Sequence, residues 1–399
     1  MRRHGLPASN PCSIIDRVNS SKNASPGWLG SLGLILISTL VSLLIVELAL
    51  HLLTPYPITQ GSNKRLHPRL GYVINSELPE IDAAGFRNSA TTLSGADIIV
   101  IGDSHTYGNN VTAADSFPAV LSRLSGRAVY NLGIGSYGIY HYLALLDDAA
   151  GVAAPDVLMA LYLGNDLIGH CSITTLPYWK EFAARSGIQA PVCAPEAEIE
   201  RERSWIKRNS ALLSAVDILV VERLKPDKEA APAFEFGQNQ RIAQKTLRGF
   251  AKATSFDTQG VEQSYGNSRL ILEQFRDRLT AQNRRFSVLL IPTRGRVLAA
   301  WTRSNGGEVP PEVDPLIAGE ETLARAYGEF LTELNVPHLD ALPFVVAALE
   351  TAVQQGRAFY PTLRDGHPLE SGYAAYAAAA AELLRRAQSP AVGSTTEIP

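Results

Sequence analysis

The sequence is poor in the residues that build metal cages. It has three cysteines and eight histidines in 399 residues, so neither a metal nor an organic cofactor is implied. It also lacks an excess of charge: the formal net charge is −3, which gives no basic footprint and argues against nucleic acid as a partner. No internal repeats stand out. The hydrophobic share is 46%, enough to bury one large core, or one core plus smaller pieces.

Long uncharged runs are scarce too, and one exception sets the organisation. Trp28 through Val46 carries no charge, and the apolar run 28–53 would be about 39 Å long as a helix, against a hydrocarbon core of about 30 Å. Glu47 and His51 lie one turn apart near its far end, where they can reach the interface. A cleaved signal would have a shorter apolar region and a small-x-small site, which Thr54-Pro55-Tyr56-Pro57 does not offer. The run reads as an uncleaved transmembrane anchor, its length arguing against a buried soluble helix. Arg2, Arg3, Arg17 and Lys22 precede it, and Lys64, Arg65 and Arg69 follow. That slight bias puts the N-terminus in the cytoplasm and the rest in a periplasm or beyond, a single-pass arrangement. Cys171 and Cys193, both past the anchor, could then close a loop of about 20 residues as a disulfide worth roughly 3 kcal/mol, or be two unrelated buried thiols.

Residues 1–27 are polar and read as disordered, 54–95 as an extended connector, and 388–399 as a Pro/Ser/Thr tail with nothing to bury. From residue 96 strands alternate with helices: strands at 98–101, 128–130, 157–163, 286–291 and 336–339, and helices at 113–124, 140–150, 261–281, 320–334, 344–355 and 370–386. Such alternation implies a parallel sheet with helices on both faces. The segment 167–260 interrupts it, with a charge-dense helical stretch at 196–209, an apolar one at 211–224 and a polar, poorly patterned run at 226–260. An insertion beside an active edge is either a lid that shapes the substrate site or a solvated decoration.

The chain is organised around Asp97-Ile98-Ile99-Val100-Ile101-Gly102-Asp103-Ser104-His105. Four β-branched apolar residues make a short buried strand, and Gly102 stops it. Ser104 then falls at the carboxyl edge of the sheet, where ligands bind in open α/β folds. Gly-Asp-Ser alone is equally a turn that caps a helix. Three further blocks follow a strand or precede a helix in the same way: Asn131-Leu132-Gly133-Ile134-Gly135-Ser136-Tyr137-Gly138, Gly164-Asn165-Asp166, and Asp365-Gly366-His367-Pro368.

Together the four blocks resemble the SGNH (GDSL-type) hydrolase family over roughly residues 96–386. The resemblance implies a three-layer α/β/α, flavodoxin-like parallel sheet, here a hydrolase domain over 96–387 holding the 167–260 insertion. It implies a catalytic Ser104, with His367 as the base that takes its proton and Asp365 as the residue that orients the ring. Its oxyanion donors map onto the Ser104 amide, an amide at Gly135 or Ser136, and the Asn165 side chain. The family places its aspartate three residues before the histidine; here that position is Arg364, so a backbone carbonyl is the other candidate to hold the ring. His367 also sits in a Gly/Pro-framed loop, unlike His67, His105, His141, His170 and His338. His105 reads as a loop histidine satisfied by hydrogen bonds. Gly85-Phe86-Arg87 looks like a short element of anchored relatives and reads as packing. Arg294, just past the strand 286–291, could face a substrate carboxylate or sugar.

Asp103-Ser104-His105 with Gly164-Asn165-Asp166 is also similar to metallophosphoesterases, but their middle aspartate motif and late Gly-His-x-His are not present. The expectation is therefore a serine esterase that removes small O-acyl groups, acetyl foremost, from an envelope glycan or lipid. An O-acyltransferase with the same triad, or a catalytically silent glycan-binding or assembly protein, are the alternatives.

Overall fold

The computed structural model describes residues 28–53, 64–88, 91–168, 173–174, 176–189, 210–216 and 232–388. The proposed Cys171–Cys193 pair, the stretch 196–209 and the expected disordered ends at 1–27 and 389–399 lie outside them. The chain divides into two compact units, Met1–Pro55 and Tyr56–Pro399.

In the first unit, α1 (Trp28–Leu53) is a single 26-residue helix. Its stretch Gly30–Leu50 is long and apolar enough to cross a membrane, with mean hydropathy 2.5 and none of it buried. Large side chains such as Leu34, Leu44 and Ile45 are exposed along it, so among the described residues of this unit nothing covers the apolar surface.

The second unit is built on a five-stranded parallel sheet: β3 (Ile98–Ile101), β4 (Val129–Asn131), β5 (Asp156–Tyr162), β8 (Arg285–Ile291) and β9 (His338–Asp340). Their order is β4-β3-β5-β8-β9. Counted along the chain that is 2-1-3-4-5, the flavodoxin-like doubly wound order. All four pairings are parallel, so helices must cross over and bury both faces. Strand alternation sorts the side chains. Ile99, Ile101, Val157, Met159, Leu161, Val288 and Leu290 face one helix layer: α4 (Ile139–Ala150), α8 (Val261–Thr280) and α10 (Asp314–Glu333). Ile98, Val100, Leu158, Ala160, Tyr162, Leu289 and Ile291 face the other: α3 (Phe117–Ser125), α9 (Arg294–Ser304), α11 (Leu342–Gln354) and α12 (Glu370–Gln388). The layering is therefore α/β/α.

Several boundaries differ from the sequence pattern, each for a local reason. The helix expected at 113–124 is a 3₁₀ turn at Ala113–Asp115, then an extended Ser116, then α3 with Pro118 in its first turn. The helix α10 starts at Asp314, not at 320, because Pro315 is tolerated in a first turn. The connector is not wholly extended: β1 (Lys64–His67) and β2 (Gly71–Ile74) pair as an antiparallel hairpin. The polar run 226–260 holds a second hairpin, β6 (Ala233–Glu235) with β7 (Arg241–Ala243), and a helix, α7 (Gln244–Thr254). Two shorter helices, α5 (Pro177–Ser186) and α6 (Ala211–Val216), occupy the described parts between β5 and β6.

Candidate active site

Only glycine fits at the exit of β3. A Cβ built on Gly102 would lie 2.0 Å from Thr106 Oγ1 and 3.0 Å from the Ala160 carbonyl oxygen. The chain turns there into α2 (Ser104–Tyr107), a single turn capped by Asp103, whose carboxylate accepts the His105 N–H at 2.8 Å. Burial raises the pKa of Asp103. Gly108 ends the turn at φ +89°, a left-handed value suited to glycine. Arg87 holds the far end by donating to the carbonyls of Gly108 (2.8 Å) and Val111 (2.9 Å), its charge paired with Glu80. Gly85-Phe86-Arg87 thus packs and pins the nucleophile turn.

On this support Ser104 meets the last block. His367 Nε2 lies 2.7 Å from Ser104 Oγ, and His367 Nδ1 lies 2.6 Å from Asp365 Oδ1. The two-residue spacing works because Asp365 Oδ1 also accepts the His367 backbone N–H at 2.9 Å. That Asx turn curls the carboxylate back under its own histidine ring. Asn110 donates to the other oxygen, Asp365 Oδ2, at 2.9 Å. Burial works to raise the Asp365 pKa, but the bonds from the His367 ring and backbone outweigh it and hold the carboxyl at about 2. With Nδ1–H given to a carboxylate, Nε2 is left to accept the serine proton. No sequence signal pointed to Asn110.

His105 is satisfied by hydrogen bonds only in part: its Nδ1 lies 3.4 Å from the Tyr376 hydroxyl. It is buried between rings, 4.0 Å from Tyr162 and 4.5 Å from His367 between centroids, and its Nε2 has no partner among the described residues. Burial, then the neighbouring His367, push its pKa well below the usual range, so it packs as a neutral ring.

The second block passes beside the nucleophile: a Cβ built on Gly135 would sit 3.8 Å from Ser104 Cβ. Asn131 ties the two together, donating to Thr106 O at 3.0 Å and accepting from Gly133 N at 2.7 Å. Ser136 has φ +69°, a left-handed value that suits glycine better than serine. Asn165 follows β5 at the same sheet edge, half-buried, and its Oδ1 is buried with no partner among the described residues. Asp166 is turned into the fold, accepting from Tyr142 OH (2.8 Å) and Tyr162 N (2.7 Å), and burial pushes its pKa well above the carboxylate range. Asp103 and Asp166, the carboxylates that a metallophosphoesterase reading would draw on, both hold local backbone.

The structure corrects the expectation for Arg294. Its side chain is 5% exposed and its guanidinium is engaged by main-chain groups. The guanidinium donates to the carbonyls of Thr362, Asp365 (2.8 Å) and Arg241, and lies 4.3 Å over the Tyr360 ring. It therefore fastens the loop that carries Asp365 and His367. The end of the insertion supports that loop from the same side: Ala243 N donates to Leu363 O at 2.9 Å and Thr246 Oγ1 to Arg364 O at 3.2 Å. The described residues 232–260 of the insertion thus buttress that loop.

No protein-family model matches the chain, and no curated protein matches it. Among solved structures it is similar to a G-D-S-L family protein from Desulfitobacterium hafniense DCB-2, at 12% identity and TM-score 0.35 over 72% of this chain and 98% of that one. It is similar also to a member of the lipolytic protein G-D-S-L family from Veillonella parvula DSM 2008, at 14% identity and TM-score 0.34, with the same coverage. Fold and side chains define the class reached here: a three-layer α/β protein with a hydrogen-bonded Ser–His–Asp chain at the carboxyl edge of its sheet.

Proposed function

We propose that this chain is a serine ester hydrolase. The observation that carries the proposal is the continuous chain from Ser104 Oγ through His367 to Asp365, with links of 2.7 and 2.6 Å. A serine hydroxyl is a weak nucleophile until a base takes its proton. In the proposed reaction His367 Nε2 accepts that proton as Oγ attacks the ester carbonyl. It then returns the proton to the leaving alcohol, and water repeats the sequence on the acyl-enzyme. Asp365, charged throughout, holds Nδ1–H and stabilises the imidazolium. The Ser104 amide, a second-block amide and the Asn165 side chain supply the oxyanion donors. The proposed substrate is a small O-acyl ester, acetyl foremost, on an envelope glycan or lipid. Helix α1 as an uncleaved anchor, with the N-terminus cytoplasmic and the second unit outside, favours that class. The Asx turn, which brings Asp365 to the His367 ring despite the two-residue spacing, favours the hydrolase reading over a catalytically silent protein.

The test is fluorophosphonate labelling of the full chain in detergent, beside Ser104→Ala and His367→Ala. Labelling should vanish in the first and slow by about 10²–10⁴-fold in the second. A folded wild-type chain that takes no label would overturn the proposal.

A further inference from the structure

The turn beside the nucleophile is held by a tyrosine from outside all four blocks. Tyr137 N donates to Ile134 O at 3.1 Å, closing a four-residue turn whose third position, Ser136, has φ +69°. A positive φ at that position alone makes it type II, a geometry that suits glycine. For a serine the left-handed region costs on the order of 1–2 kcal/mol. Types I and II differ by a flip of the central peptide, here Gly135–Ser136. Because the peptide is trans, the flip reverses the Gly135 carbonyl and the Ser136 N–H together. Left to itself, serine at this position favours type I.

Tyr72, on β2, opposes the flip. Its hydroxyl donates to the Gly135 carbonyl at 2.6 Å. Its own carbonyl accepts the Tyr137 hydroxyl at 2.6 Å, and the two rings meet edge-on at 5.5 Å. With the Gly135 carbonyl fixed toward Tyr72, the Ser136 N–H points the opposite way, and Gly135 runs directly beside Ser104. We propose that Tyr72 is a positioning residue that holds this turn in type II and so makes the Ser136 N–H the second-block oxyanion donor. The proposal rests on the ester-hydrolase reading.

The test uses the full chain in detergent, with kcat and KM for p-nitrophenyl acetate. Tyr72→Phe keeps the ring and removes only the hydroxyl. Its kcat should fall about 10–100-fold, somewhat less than outright loss of an oxyanion donor. KM should hold within about twofold, and the pH profile should not move, because no titrating group of the triad changes. In a Ser136→Gly background the same change should lower kcat by less than about threefold, since glycine keeps the turn without help. A Tyr72→Phe chain within about twofold of wild type in kcat would overturn the proposal. So would an undiminished loss in the glycine background, which would assign Tyr72 to general packing. Failure of the underlying reading looks different: wild-type turnover would be indifferent to Ser104→Ala, and both proposals would fall together.

Discussion

Replacing Arg294 with lysine separates two roles that an arginine at a sheet edge can have. In the structure the guanidinium bonds three main-chain carbonyls from two segments, Arg241 on β7 and Thr362 and Asp365 in the His367 loop, and covers the Tyr360 ring. Hydrogen bonds to a charged group contribute about 1.5–3 kcal/mol each, and an ammonium cannot reproduce a planar fork that reaches three carbonyls at once. Allowing lysine to keep one of the three, the change should destabilise by about 3 kcal/mol. In a protein of this size that lowers Tm by roughly 4 °C. The loop that carries Asp365 and His367 would loosen with it, so kcat should fall about tenfold, while KM for a neutral acetyl ester stays unchanged. Differential scanning fluorimetry and p-nitrophenyl acetate hydrolysis read the two effects. An unchanged Tm with a KM raised for an acidic or sugar ester would refute this reasoning and return Arg294 to substrate binding.

Asp365→Asn keeps an acceptor for the Asx turn but removes the charge that fixes the histidine tautomer. Its kcat should drop by about 10³-fold or more, and a drop of less than about tenfold would show that something other than the carboxylate orients the ring. Glu320 is buried beneath the Thr293 cap, accepting from Thr293 N and Oγ1, and burial raises its pKa to about 7 from an ordinary 4.5. An acid whose folded pKa is raised binds its proton more tightly in the folded state, so the stability contributed by Glu320 is fully present below pH 4.5 and is lost as pH rises through about 7. A shift of that size corresponds to about 3 kcal/mol. Glu320→Gln should flatten the decline of Tm between pH 4.5 and 7.5, and an equally steep decline in the variant would remove Glu320 as its source.

What could be read from the sequence follows from how local the determining physics is. The apolar helix α1 runs over the residues expected because apolarity without charge is a property of one segment. The buried strands were legible for the same reason, with ends displaced by one or two residues where pairing, not composition, sets the limit. Val129–Asn131 replaces 128–130, for example. Ser104, Asp365 and His367 come together as expected although the serine and histidine stand 263 positions apart, since each block ends or precedes a regular element at one sheet edge. Arg294 was misread because its three acceptors are carbonyls, which leave no mark on side-chain pattern. The β6–β7 hairpin and α7 were missed because a polar run shows its apolar side only once Leu247 and Phe250 find partners.

The side chains of the Ser104–His367–Asp365 chain and the groups that hold them therefore come from different parts of the sequence. Ser104 stands on a turn fastened by Arg87 from the connector. The second block is tied down by Tyr72, also from the connector, and the His367 loop by Arg294 with Ala243 and Thr246. In each case the contact is to a main-chain carbonyl or amide. Such a contact demands reach and a donor or acceptor but no particular neighbour in sequence, so a motif can specify the chemistry while leaving its support unspecified. Sub-ångström placement matters for proton transfer and oxyanion stabilisation. It follows that residues without any motif of their own, Tyr72 and Arg294 first among them, should lower kcat by about tenfold or more when changed, although less than residues inside the blocks.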